Sequence, residues 1–137
     1  MSEVNKEALP EYDMCFVCGK NNPIGLKLEF AVLDDAYTAY FTPDENHQSY
    51  DGIVHGGIIS TLLDEIMSKY VWVLTGKPSF TARLEVRYRR HGEIGKQLRL
   101  EGRILKNKGK LYEVEGKLWQ VDGEILIADG TAKVMCV

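Results

Sequence analysis

The residues best suited to chemistry lie in one stretch, Val54-His55-Gly56-Gly57-Ile58-Ile59-Ser60-Thr61-Leu62-Leu63-Asp64-Glu65. An imidazole and two glycines lead into an apolar run that ends in two adjacent carboxylates. Glycine is a poor helix former, and a carboxylate among isoleucines and leucines is costly to bury. Packing alone does not account for the pattern. A helix N-terminus offers backbone N–H groups and the positive end of the helix dipole. Glycines there let a ligand approach closely, so a carbonyl oxygen gaining negative charge can be held as in an oxyanion hole. Asp64 is then the candidate site carboxylate. Its face of the helix, shared with Ser60, Met67 and Val71, lacks the Lys, Arg and Glu of a solvated face. Glu65 has Lys69 four residues on, in the favourable Glu-to-Lys order, and is the lesser candidate, a solvated or paired carboxylate.

The elements that must position these groups follow from hydrophobic period. Leu26, Leu28, Phe30 and Val32 alternate with Lys27, Glu29 and Ala31, a period-2 strand that turns at Asp34-Asp35. Tyr37 to Phe41 is a second strand, stopped by Pro43, and 43–54 is a loop. A helix runs from about Gly56 to Leu74, ended by Gly76 and Pro78. Four strands follow. In the first, Phe80, Ala82, Leu84, Val86 and Tyr88 alternate with Ser79, Thr81, Arg83, Glu85 and Arg87. The others are Gln97 to Leu105, Tyr112 to Val121 and Ile125 to Met135, the last two joined by the hairpin signal Asp122-Gly123. The order is ββαββββ, an α+β fold with a mostly antiparallel sheet. Gly102, Gly116 and Gly130 sit inside strands and suggest a sheet curling around the one long helix. Residues 1–14 read as an N-terminal arm on a single domain of 1–137.

Ile58, Ile59, Leu62, Leu63, Ile66, Tyr70, Val73 and Leu74 form one broad apolar face, which should pack on the sheet. A helix so apolar all round needs cover on more than one side, and a second subunit is the simplest cover. Asp64 also lies too far along the helix to act on a group held at the same N-terminus, unless the substrate spans roughly 10 Å. Two antiparallel helices meeting across a dimer would place Asp64 of one chain beside His55, Gly56 and Gly57 of the other.

The ββαββββ order, with His-Gly-Gly opening the helix and an acid nine residues after the His, resembles the hotdog-fold acyl-CoA thioesterases. The closest branch is the phenylacetyl-CoA thioesterase-like group. Cys15-Phe16-Val17-Cys18-Gly19 and Asn22-Pro23-Ile24-Gly25-Leu26 resemble the N-terminal signature of one subgroup. The resemblance implies a curved sheet around a central helix, hydrolysis of an acyl-CoA to the free acid and coenzyme A, and no cofactor beyond the coenzyme A of the substrate. It gives Asp64 the role of general base or nucleophile and Gly57 the N–H that polarises the thioester carbonyl, with Gly56 beside it. His55 would orient the substrate or the leaving sulfur. Relatives often add an Asn or Gln from the loop before the His. Asn46 and Gln48 are the candidates, neither at the usual spacing, and Asn46 stands in the assignment. His91 replaces a proline found after this strand in many relatives.

Arg89 and Arg90 read first as a solvated strand end and second as contacts for the phosphates of coenzyme A; the Lys108-Gly109-Lys110 turn is equally an ordinary turn or, as the resemblance implies, a contact for the nucleotide end of coenzyme A. Cys15 and Cys18 form a CxxC. Zinc needs four ligands, and only Cys136 and three histidines remain, so the pair reads as packing and the metal assignment is none. The chain has 137 residues, is 45% hydrophobic and carries net charge −3 without a basic block, so nucleic-acid binding has no electrostatic support. No signal-peptide layout or membrane span is legible, and three cysteines suggest a reducing cytoplasm. Partners would be acyl-CoA and further copies of the chain, as a dimer or dimer of dimers. A non-catalytic acyl-CoA sensor and a hydratase using Asp51 and His55 are the alternatives.

Overall fold

The computed structural model describes residues 13–137, so the expected arm of 1–14 lies, save its last two residues, outside the described residues. Two short strands, β1 (Phe30–Leu33) and β2 (Ala36–Phe41), precede the helix α1 (Gly56–Thr75). Four longer strands follow: β3 (Ser79–Tyr88), β4 (Leu98–Lys108), β5 (Leu111–Gln120) and β6 (Ile125–Cys136). They form one antiparallel sheet in the order β1-β2-β4-β5-β6-β3, with α1 lying across its concave face.

The glycine rule holds in detail. Gly102 pairs with Gly116, and Gly116 with Gly130, so the three make a row across β4, β5 and β6. A Cβ on Gly102 would fall 2.6 Å from the Ile66 carbonyl oxygen of α1, and one on Gly116 would fall 3.1 Å from the Met67 sulfur. The missing side chains let α1 sink into the sheet. Leu62, Leu63, Ile66, Met67 and Val71 become fully buried there, against Leu98, Leu100, Val114, Leu118 and Val134. The buried stripe is therefore centred one position round from the broad face expected: Met67 and Val71 join the core, while Leu74 is exposed. Gly76, in the left-handed region at φ 70°, caps α1 by donating its N–H to Trp72 O.

Three local expectations need correction. The first strand is only four residues long; Lys27 has φ 56°, which breaks the extended run. Leu26 and Leu28 instead donate to Phe16 O and Val17 O, tying this segment to the Cys15–Gly19 turn. The β5–β6 link is a four-residue loop, 121–124, between paired Gln120 and Ile125, with Gly123 and Glu124 both at positive φ. The β4–β5 turn is tighter than expected, with Lys108 paired to Leu111 and Gly109 at φ 61°. The Asp34-Asp35 turn is as read: two residues with φ 51° and 60°, a type I′ hairpin.

Strand β3 is an edge, paired only with β6 among the described residues. A register shift between Thr81 and Arg83 interrupts it. Such a bulge reverses the alternation of side chains on either side of it. Ser79 and Thr81 point at the helix before it; Leu84, Val86 and Tyr88, opposite Ala132, Gly130 and Ala128, share that face after it.

Candidate active site

The loop before α1 is more ordered than a plain loop. Asp44 caps a 3-10 turn, Glu45–His47, and accepts from the Asn46 N–H at 2.8 Å. His47 accepts from the Asp44 N–H through Nδ1, and its ring meets Phe41 edge-on. The chain then returns so that the His55 N–H donates to His47 O at 2.9 Å, which fixes where the helix begins.

His55 is the N-cap of α1. Its Nδ1 accepts from the Gly57 N–H at 2.8 Å, so the N–H expected to be bare is held by the imidazole. A Cβ on Gly57 would lie 3.0 and 3.1 Å from Nδ1 and Cε1 of that ring. Glycine at 57 is thus needed to admit the imidazole. Rotation of the ring would free the N–H, at a cost near that of one cap, about 1 kcal/mol. Gly56 lies under Tyr88: a Cβ there would touch the ring at 3.6 Å, and the Tyr88 hydroxyl donates to Gly56 O at 2.9 Å. Ser60 hydrogen-bonds the same hydroxyl.

Asp64, half-buried on α1, accepts from the Thr81 hydroxyl at 2.5 Å. Nothing in the sequence singled out Thr81. Strict alternation would place it with Arg83 and Glu85 on the outer face, and the bulge that follows it puts it inward instead. A neutral donor beside a carboxylate orients it without discharging it.

Glu65 departs from expectation. Its carboxylate accepts from the Cys15 thiol at 3.5 Å, so its neighbour is the N-terminal segment rather than solvent. Lys69 lies 4.5 Å from the centre of the Phe30 ring and also close to Cys18. Burial, and then the charge of Glu65, push the Cys18 thiol up to about 12. A thiol so held is protonated at neutral pH in the absence of a metal, which is the wrong state for a redox nucleophile.

Asn46 lies in the 3-10 turn that precedes the helix. With His47, Gln48, His55, Gly57, Ile58 and Thr61 it lines a cleft of about 410 Å³ at the helix N-terminus. It also lines, with His47 and Ile58, a larger groove of about 690 Å³ walled by Phe16, Pro23, Ile24, Gly25, Leu26 and Phe41. That volume is within the range of small-molecule sites. Gln48, the other candidate, lines the same 410 Å³ cleft, and its side-chain oxygen accepts from the Gly52 N–H at 3.0 Å. The structure therefore brings His55, Gly57, Asn46 and Gln48 to one cleft, with Gly56 under Tyr88 beside it, and leaves Asp64 further down the helix. The wall of residues 16–26 was missed at the sequence level. Its signal was the apolar content of the CFVCG and NPIGL segments.

The basic candidates do not converge within one chain. Arg89 is paired side-on with Asp129, at 3.1 and 3.2 Å, and Arg90 is exposed at the end of β3 nearest the helix N-terminus. Lys108 and Lys110 flank the β4–β5 turn beside Cys136, which is paired to Ser79 at the other end of β3. The ten residues of β3 separate the two pairs by roughly 30 Å.

A curved six-stranded antiparallel sheet wrapped on one long helix, with the catalytic candidates on that helix, is a hotdog fold of the thioesterase type. The family model of the thioesterase superfamily matches residues 51–127, more than half of the chain, and the chain belongs to that superfamily. Among solved structures it is similar to zebrafish thioesterase superfamily member 2, with TM-score 0.77 and 21% identity over 90% of this chain and 91% of that one. It is similar to a Streptococcus mutans protein solved bound to acetyl-CoA, with TM-score 0.72 and 22% identity over 80% and 88% of the two chains. A hypothetical thioesterase of Streptococcus pneumoniae, solved with coenzyme A, has TM-score 0.73 and 18% identity over 80% and 85%. No curated protein matches the chain in sequence. Among the described residues, no helix is long and apolar enough to cross a membrane.

Proposed function

We propose that the protein hydrolyses acyl-CoA thioesters, with sites completed across a homodimer. The observation that carries this reading is Asp64: a half-buried carboxylate, oriented by Thr81, on the same helix that begins with an imidazole-capped glycine N–H. The thioester carbonyl would sit at the N-terminus of α1, its oxygen accepting from the Gly57 N–H once the His55 ring turns aside. Asp64 would take a proton from a water as that water attacks the carbonyl carbon. The C–S bond then breaks, and coenzyme A leaves as a thiolate that acquires a proton. A thiolate leaves readily, so one carboxylate and one oxyanion donor suffice. Attack by Asp64 itself, through an anhydride, uses the same groups.

Gly57 and Asp64 are seven residues apart on α1, roughly 10 Å, which is too far for one chain to serve one carbonyl. The open edge of β3, with Phe80, Leu84 and Tyr88 exposed, supports pairing with a second copy. The two-copy arrangement would also bring the basic turn of one chain toward the helix N-terminus of the other, which one chain cannot do. Acetyl-CoA and coenzyme A on the two streptococcal structures support an acyl-CoA ligand.

The test is a thiol-release screen over short, long and aromatic acyl-CoAs. Wild type should release thiol and Asp64→Ala should not; equal rates would remove the assignment. Mixing a Gly57-defective with an Asp64-defective subunit should restore part of the activity, and an active monomer would sink the shared site. One observation favours a second reading. The Gly57 N–H is occupied by His55, as befits a protein that binds acyl-CoA without cleaving it. Tight coenzyme A binding with no hydrolysis of any substrate would establish that alternative.

A further inference from the structure

The CxxC pair, read as packing from the sequence, is joined in space by a third metal-ligating group. Cys15 Sγ, Cys18 Sγ and a carboxylate oxygen of Glu65 all lie within 4.8 Å of one another. Glu65 stands 50 residues from Cys15, so no local spacing rule could have found it. In a tetrahedral site with Zn–S near 2.3 Å and Zn–O near 2.1 Å, neighbouring donors are roughly 3.5–3.8 Å apart. Cys15 Sγ and Glu65 Oε2 are already at 3.5 Å.

The surroundings hold these donors in place. The turn that carries both cysteines is closed by the Gly19 N–H on Cys15 O at 2.9 Å. A Cβ on Gly19 would fall 2.4 Å from both Asp13 O and Cys15 N, so this turn requires glycine after the second cysteine. Leu26 and Leu28 clamp the turn from the other side through Phe16 O and Val17 O, at 2.8 and 2.9 Å. Glu65 projects from the middle of α1, a rigid element. Charge fits as well. Two thiolates and one carboxylate around a divalent ion sum to one negative charge, and the Lys69 ammonium beside Cys18 offsets it.

We propose that Cys15, Cys18 and Glu65 bind a divalent ion of the zinc type, with water as the fourth ligand. Two sulfur donors and one carboxylate select zinc or a similar first-row ion over magnesium or calcium. The ion would staple the N-terminal turn to α1 at the residue after Asp64. That would fix Phe16 and Leu26 as a wall of the groove beside Asn46. The site is independent of whether the protein hydrolyses anything.

The test uses the untagged full chain, purified reduced and without chelator. Elemental analysis should find about one zinc, or another first-row divalent ion, per chain. Titration of the stripped protein with Co²⁺ should give a thiolate-to-cobalt charge-transfer band and the intense visible bands of a four-coordinate ion. Glu65→Gln should weaken metal binding by at least about tenfold, the least that losing even an outer-shell partner costs. Cys15→Ser/Cys18→Ser should bind none. If that double variant does not fold, the wild-type cobalt spectrum and its loss to chelator carry the result. Metal-free protein with no cobalt–thiolate band overturns the proposal, as does a Cys15–Cys18 disulfide in the reduced preparation. Unchanged metal affinity in Glu65→Gln overturns it too.

Discussion

Asp64 and Glu65 are adjacent carboxylates on one helix, yet they face different walls. Asp64 meets the edge strand β3 and one neutral hydroxyl, Thr81. Glu65, about 100° round the helix, meets the Cys15–Gly19 turn and its two thiols. The first environment orients one carboxylate oxygen by a single hydroxyl. The second gathers soft donors around a carboxylate, which suits an ion. One residue of helical rotation therefore separates the carboxylate proposed for acid–base chemistry from the one proposed to hold an ion. The edge strand that carries Thr81 pairs only with β6 among the described residues, whereas the turn that serves Glu65 is closed by its own backbone bonds.

The largest expected effect is at Asp64. Asp64→Asn keeps the shape and removes the base, and should lower kcat for acyl-CoA hydrolysis by about 10²- to 10⁴-fold. Circular dichroism should be unchanged. Glu65→Gln should keep kcat within about tenfold of wild type, since it lacks a path to the carbonyl; a loss as deep as that of Asp64→Asn would erase the distinction between the two carboxylates. Gly57→Ala comes next. Its methyl would press on the His55 ring at 3.0 Å and crowd the carbonyl site, so a loss of about 10- to 100-fold in kcat/KM is expected, measured by thiol release. Thr81→Val should lower kcat by about tenfold with little change in KM, and Thr81→Ser should restore it. Rescue by serine separates orientation of Asp64 by the hydroxyl from mere packing. The smallest effect lies far from both walls, at the exposed Arg99–Glu124 pair, where the Arg99 hydrogen bond first, then its charge, holds the Glu124 carboxyl below its usual range. Its modest stabilisation is present at neutral pH and lost as pH falls through that lowered value. Glu124→Gln should flatten this acid-side slope in a melting series without touching hydrolysis.

Much of this was legible in the chain. The extent of α1 was readable because Gly76 and Pro78 are local stop signals, and five of the six strands because alternation is local too. The glycine row was legible in kind, though not in register: Gly102, Gly116 and Gly130 are 14 residues apart in turn, and only the sheet aligns them. The candidate residues His55, Gly57 and Asp64 could be picked out because their types conflict with helix packing. Asn46 came only from the resemblance, and it shares its cleft with Gln48, the other candidate.

What the sequence determined by itself is the list of elements and the misfit residues on α1, because both depend on spacing within a few turns or strands. Three decisions belonged to the tertiary structure. A bulge in β3 turned Thr81 inward to Asp64, an outcome that depends on how β3 registers against β6. The imidazole of His55 folded back onto the Gly57 N–H, because the 3-10 turn at His47 sets the angle at which the chain enters the helix. Glu65 met Cys15 and Cys18 because α1 sinks into a sheet floored by glycine, with the N-terminal turn clamped at its flank. Each is a contact between segments distant in sequence, and side-chain period carries a residue's face but not its partner.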